Sequence, residues 1–379
     1  MIKILESRST KLEWLGASPA NKSKKAALLI PQYNESSNSS FEKRLVYYKQ
    51  VAKEFEEYLD VIIIDDGSTD DSLVKIKDFQ KNHLDNTFFV ASIYPNADKV
   101  GALFKTTLAI EHELIILSDF DTDIIGLKEV VHSLNLLNED ITLMGSYFRM
   151  LPVEGKGAVF VFQQLEYTLA RSLYKFHKKD GSVPVMPGAG SCYKRDVLLS
   201  IYSDHSGLRS GEDREATLIG LKLGYKTSYH DTVLTLTRPP LSFSALITQR
   251  VRWNLGYLET FNKEQKYYYR QIFKLSRIGL RTIGDTAIVL VSILLPFSIF
   301  IMAFINMQLL LVIISFIYFG GVIWSLNLLI ISPGEAKEFK QNLLFSILLY
   351  PVIKLSLDSL AWTGALFSFM KKNYKKRLS

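Results

Sequence analysis

Short apolar runs alternate with amphipathic stretches over the first two-thirds of the chain, and long unbroken apolar stretches follow. Ala26-Ala27-Leu28-Leu29-Ile30, stopped by Pro31, and Val61-Ile62-Ile63-Ile64, stopped by Asp65-Asp66-Gly67, read as strands covered on both faces. Between them, residues 41–58 have helical spacing, with Leu45, Val51 and Phe55 for one face. A strand, helix, strand order of this kind predicts a parallel sheet. After Gly67, the Ser68-x-x-Asp71 spacing predicts a helix start, and Leu73, Ile76 and Phe79 form its stripe. Phe88-Phe89-Val90 is a third strand, the stretch after Gly101 a helix, and Leu114-Ile115-Ile116-Leu117 a fourth strand.

This pattern brings the carboxyl ends of the strands to one rim, where ligands bind in open α/β sheets. Tyr33, Asn34 and Glu35 follow the first strand, Asp65 and Asp66 the second, and Asp119 and Asp121 the fourth. Acids gathered from distant parts of a chain repel one another unless a cation or ligand is bound, so a site is expected there. A solvated acidic turn would explain Ser118-Asp119-Phe120-Asp121-Thr122-Asp123 alone, but not its company. Gly188-Ala189-Gly190 lacks the third glycine of a dinucleotide loop, and neither a phosphate loop nor a His/Cys metal spacing is found. A nicotinamide enzyme or an ATPase is thereby disfavoured.

The apolar stretches change the picture. Residues 285–306 and 308–332 are each long enough to cross roughly 30 Å of hydrocarbon, and neither carries a charge beyond Asp285 at its edge. A third stretch, 343–370, is interrupted by Pro351, Lys354 and Asp358; the last two are four apart and share a helical face, either as a structural pair or along a polar path. Residues 242–278 mix Leu246, Trp253, Tyr257, Phe261, Tyr267 and Phe273 with Arg and Lys, as in a helix lying on a membrane surface. The chain starts without a signal-peptide pattern, so its head is expected in the cytoplasm, and a basic tail, 371–379, is expected on the same side. Three full crossings would put that tail outside. Either the broken third stretch does not cross, or the tail departs from the positive-inside tendency.

The formal charge of +7 over 379 residues suits anionic lipid, and no nucleic-acid module is recognised. The single cysteine, Cys192, excludes an intrachain disulfide and is assigned no chemistry.

Ile30-Pro31-Gln32-Tyr33-Asn34-Glu35, Ile64-Asp65-Asp66-Gly67-Ser68-Thr69-Asp70, Lys99-Val100-Gly101-Ala102, Asp119-Phe120-Asp121, Gly188-Ala189-Gly190-Ser191, Gly211-Glu212-Asp213 and Gln249-Arg250-Val251-Arg252-Trp253 follow one another in order. This ordered set resembles the family 2 glycosyltransferases, inverting enzymes with an α/β GT-A domain, Rossmann-like with a mostly parallel sheet. Within the family the last motif is similar to that of the processive membrane enzymes of the cellulose, chitin, hyaluronan and poly-N-acetylglucosamine synthase type. The resemblance implies a GT-A domain at 26–256 after an N-terminal extension at 1–25. The apolar stretches themselves predict an amphipathic interfacial region at 257–282 and transmembrane or membrane-associated helices at 283–370, in a multi-pass inner-membrane protein.

The resemblance further implies roles. Tyr33, Glu35 and Asp66 would hold the nucleobase and ribose of a UDP-sugar, with Lys99 and Asp119 at the phosphates. Asp121 and Asp119 would hold Mg2+ or Mn2+, and Asp123 would be a bystander or a helix cap. Asp213, beside Glu212, would be the catalytic base, while Gln249, Arg252 and Trp253 would meet the acceptor and the departing diphosphate. Long-polymer relatives carry membrane helices on both sides of the domain, so a homo-oligomer or an export partner is also expected. A processive transferase, a transferase making one addition to a lipid-linked acceptor, and a non-catalytic sugar-binding subunit are the readings left open.

Overall fold

A computed structural model describes residues 9–19, 25–82, 88–129, 137, 139–331 and 343–378, with side chains of 327–331, 343–346 and 374–378 excluded. Most of the basic tail's side chains and much of the N-terminal extension lie outside these. The chain forms two compact units, one from residues 1–150 and 184–237, the other from 151–183 and 238–379.

The first unit is built on a nine-stranded sheet. Its centre is parallel, from β2 (Ala26–Gln32), β3 (Leu59–Asp65), β4 (Phe88–Tyr94) and β5 (Leu114–Leu117), in the order β4-β3-β2-β5. These are the four strands that the apolar runs predict, and β3 is buried along its whole length. The expectation of a mostly parallel sheet needs correction. An N-terminal strand, β1 (Lys11–Trp14), pairs antiparallel with β4, and β7 (Leu143–Pro152), β8 (Ser191–Lys194), β9 (Lys226–Thr237) and β6 (Thr122–Ile125) extend the other side. The sheet is therefore mixed, because β8 returns beside β5 in the opposite sense.

Helices α1 (Phe41–Glu54), α2 (Ser72–Asn82) and α3 (Asp98–Leu108) connect the parallel strands; α5 (Arg195–Asp204) and α6 (Glu212–Lys222) follow β8. Leu45, Tyr48 and Val51 of α1 and Ile76 of α2 pack with Leu28, Ile30, Val61 and Ile63 into the core beneath the sheet. Helix α2 starts at Ser72, later than the Ser68 signal suggests. Asp70 Oδ1 accepts from the Ser72 amide at 3.0 Å, whereas Ser68 Oγ accepts from the Asn34 amide at 3.0 Å. Ser68 thus ties the two strand-end loops together instead of capping a helix.

The second unit is helical: α4 (Ala158–Lys178), α7 (Phe243–Phe273), α8 (Arg277–Ile305), α9 (Met307–Ile331) and α10 (Leu343–Leu378). Among the described residues, two helices are long and apolar enough to cross a membrane, Arg277–Ile305 and Met307–Leu326, with mean hydropathies of 2.8 and 2.4. Asp285, at the edge of the first, pairs with Arg281 at 2.8 Å. Phe297, Phe300, Phe304 and Phe316 are exposed on these two helices. The third apolar stretch differs from them. As α10 it packs against α7, and its Tyr350 and Leu357 share an apolar core with Phe162, Leu165 and Leu169 of α4 and Leu246 of α7.

Candidate active site

The acids predicted at the sheet rim do gather in the first unit, and one helix face organises their loop. Arg44 and Tyr48 are four apart on α1 and both are buried. Arg44 donates from Nε to the Phe120 carbonyl at 2.7 Å and from Nη2 to the Thr122 carbonyl, and its Nη1 pairs with Asp123. The Tyr48 hydroxyl lies 2.8 and 2.7 Å from the Asp119 and Thr122 carbonyls and shares its one hydrogen between them. Together they fix residues 119–123, sequester Asp123 and leave Asp119 and Asp121 at the rim. Sequence reasoning passes over this pair; the Arg-x-x-x-Tyr spacing on one helical face is the signal that points to it.

Asp119 Oδ1 accepts from Lys99 Nζ at 2.5 Å, and the same ammonium lies 3.7 Å from Glu212 Oε1. Burial pushes the Lys99 pKa down, but Asp119 and Glu212 more than offset it and hold the ammonium charged. Burial and the Asp119 charge raise the pKa of Asp121, and burial and Asp213 raise that of Glu212. Glu35 is raised by burial, with Asp121 and Asp119 adding to the effect. Asp119 and Glu212 thus share one ammonium, whose charge Asp121 and Asp213 also feel. The set carries an excess of negative charge that a bound cation would relieve.

Asp213 lies in the first turn of α6, which opens with Gly211 in a left-handed conformation at φ 71°. Its Oδ1 accepts from the Arg214 amide at 2.9 Å and its Oδ2 from the Gly188 amide at 3.3 Å. A Cβ on Gly188 would stand 3.0 Å from Lys99 Nζ and 3.6 Å from Asp213 Cβ, so the Gly-rich segment borders both groups. Gly190, at φ 84°, is required outright, since a Cβ there would meet Thr235 Oγ1 at 2.0 Å.

The other predicted residues are placed as follows. Tyr33 is exposed at the rim, and the Glu35 amide donates to Ser72 Oγ at 2.9 Å. Asp66 is buried; its Oδ1 accepts from the Ala97 amide at 2.7 Å and its Oδ2 from Asn96 Nδ2 at 3.0 Å. Cys192 is buried, and burial raises its thiol pKa, consistent with a packing role. Gln249, Arg252 and Trp253 belong to the second unit, on α7, where Arg252 and Trp253 are exposed and Gln249 is partly so.

The donor set suits a hard cation. Asp119 and Asp121 offer carboxylate oxygens, and their mutual repulsion is the strain that Mg2+ or Mn2+ would remove. Among the described residues no group of three His, Cys, Asp or Glu side chains is arranged for a metal. The remaining ligands would have to come from the phosphates of a donor, as is common for Mg2+.

Comparison with known proteins bears on the family of the chain. The family model described as "Glycosyltransferase like family 2" matches residues 27–256. An N-acetylglucosaminyltransferase of Mesorhizobium japonicum is 24% identical over 237 residues, covering 60% of this chain and 54% of its own length. One of Azorhizobium caulinodans is likewise 24% identical over 237 residues, covering 60% of this chain and 58% of its own. The chain spans about half the length of the curated relatives it matches. A solved mannosyltransferase from Pyrobaculum calidifontis, in complex with GDP-Man and Mn2+, has a TM-score of 0.47 at 18% identity, covering 67% of this chain and 68% of that one. Matched over more than half of its length by the family model, the chain belongs to glycosyltransferase family 2, and its first unit is a mixed-sheet α/β fold.

Proposed function

We propose that the chain is a membrane-associated inverting transferase that moves N-acetylglucosamine from UDP-N-acetylglucosamine to a hydroxyl of a growing β-linked glycan. The observation that carries this reading is the set of Asp119, Asp121, Glu212 and Asp213 around Lys99, at the carboxyl-end rim of a family 2 domain. The sugar follows the names of the curated relatives. Membrane association is supported by the two apolar helices and their exposed phenylalanines.

In this mechanism Asp213 takes the proton of the acceptor hydroxyl. Its carboxylate is held by the Arg214 and Gly188 amides, which fix the direction of the remaining lone pairs. The acceptor oxygen forms a bond to the anomeric carbon while the bond to the diphosphate breaks, and the electron pair leaves with UDP. Configuration is inverted in one displacement. Lys99 supplies positive charge to the departing diphosphate, and Glu212 keeps Lys99 charged. A divalent cation seated on Asp121 and Asp119 would neutralise developing phosphate charge. Tyr33, Glu35 and Asp66 hold the nucleoside, and Gln249, Arg252 and Trp253 serve the acceptor.

Purified chain in lipid nanodiscs, given UDP-N-acetylglucosamine, Mn2+ and an N-acetylglucosamine oligomer, should release UDP and lengthen the oligomer. If a panel of UDP-sugars yields no UDP, the reading fails. A second reading, one addition to a lipid-linked acceptor, is favoured by the small set of membrane-length helices among the described residues. Product sizing separates the two, because a single added residue sinks processivity.

A further inference from the structure

A chain of ion pairs in the second unit ends on one buried guanidinium. Arg250 on α7, with 8% of its side chain exposed, donates from Nη2 to Glu166 Oε2 of α4 at 2.5 Å. Glu166 Oε1 lies 3.5 Å from Lys354 Nζ of α10, which donates to Asp358 Oδ1 at 2.6 Å. Although burial opposes ionisation of Glu166, Arg250 and Lys354 hold its pKa below the ordinary value. On its other side, the Arg250 Cζ stands 4.1 Å from the ring centroid of Trp253, one helical turn along α7. Trp253 is 43% exposed.

Stability does not explain such a network well, since apolar side chains of similar volume commonly replace buried ion pairs without loss. An indole that merely anchored a helix at an interface would need no buried cation beneath it, braced by two other helices. Arg252, the arginine that the motif resemblance singles out, is exposed, whereas Arg250 is engaged on both sides.

We propose that Arg250 is a positioning residue for the acceptor: braced by Glu166, Lys354 and Asp358, it covers one face of the Trp253 indole and holds the ring as a rigid platform for a pyranose. The ligand class is a glycan whose sugar ring presents its C–H face to an aromatic. A ring already fixed in one rotamer loses less freedom when a sugar stacks on it, so the brace acts through acceptor affinity. This inference rests on the reading of Trp253 as an acceptor contact.

The test uses the full chain in nanodiscs and two readouts. With UDP-N-acetylglucosamine as donor and an N-acetylglucosamine tetramer as acceptor, Arg250→Lys keeps the charge against Glu166 but loses the planar group over the indole. It should raise the acceptor KM about three- to thirtyfold, the range of a partly desolvated cation–π contact, while acceptor-free hydrolysis of the donor is unchanged. Lys354→Met, acting through Glu166, should do the same more weakly. In a chain whose Trp14, Trp324 and Trp362 are replaced by Phe, fluorescence anisotropy of Trp253 should fall in Arg250→Lys. An unchanged anisotropy overturns the proposal, and so does a freed Trp253 with an unchanged acceptor KM. Absence of any turnover by the wild type would sink the proposed function instead, and the anisotropy would still decide whether Arg250 fixes the ring.

Discussion

The two units handle charge in opposite ways. At the sheet rim, Lys99 faces Asp119, Asp121, Glu212 and Asp213, so the set is short of positive charge. Beneath Trp253, Arg250 and Lys354 face Glu166 and Asp358, two cations against two carboxylates. An unbalanced set is costly until something binds, and it marks where a charged ligand belongs. A balanced set is complete as it stands. What it contributes is geometry, fixing elements that are distant in sequence.

The largest expected effect separates chemistry from affinity in the first set. Asp213→Asn should lower transfer by about a hundredfold to ten-thousandfold while UDP affinity, read by calorimetry, stays near wild type. A collapse of UDP affinity would mean that Asp213 holds the donor. Next comes the balanced set: Glu166→Gln strands Arg250 beside Lys354 and should cost about 3–5 kcal/mol in unfolding free energy. A loss well below that would show that water already screens the network.

Arg44→Ala removes the donor to two buried carbonyls and the partner of Asp123, and should cost about 2–3 kcal/mol, with weaker donor binding as residues 119–123 loosen. Donor affinity unchanged in that variant would detach the clamp from the site.

The smallest effect has an unusual sign. Burial and Asp119 raise the pKa of Asp121 in the folded chain, so its ionised form opposes folding above that pKa, and the stability it permits is greatest below the ordinary Asp value and lost as pH rises. Asp121→Asn should therefore slightly raise the melting temperature of the ligand-free chain at neutral pH while abolishing stimulation by Mn2+. If wild type and variant melt alike and respond alike to Mn2+, Asp121 is not the cation seat.

Much of the rim was legible because buried parallel strands leave continuous apolar runs, and Asp66, Asp119 and Asp121 end those runs. The place of Asp213 in the first turn of a helix was legible for a different reason, as an acid at the start of a helical stripe. The antiparallel side of the sheet was not. Strand β8 comes from a short stretch whose pairing with β5 depends on contacts about eighty residues apart. Arg44 and Tyr48 look like ordinary residues of an amphipathic helix until the 119–123 loop folds onto them. The third apolar stretch is the clearest case, since composition alone cannot say whether a long apolar helix faces lipid or other helices.

The sequence by itself therefore determined the parallel core, the rim that receives its strand ends and the family, because local periodicity and motif order are properties of the chain. Tertiary structure alone decided that Lys99 answers Asp119, that Arg44 draws Asp123 aside, and that the pair predicted at Lys354 and Asp358 extends through Glu166 to Arg250. Those outcomes depend on which charges are brought together as water is removed, and sequence separation carries no information about that.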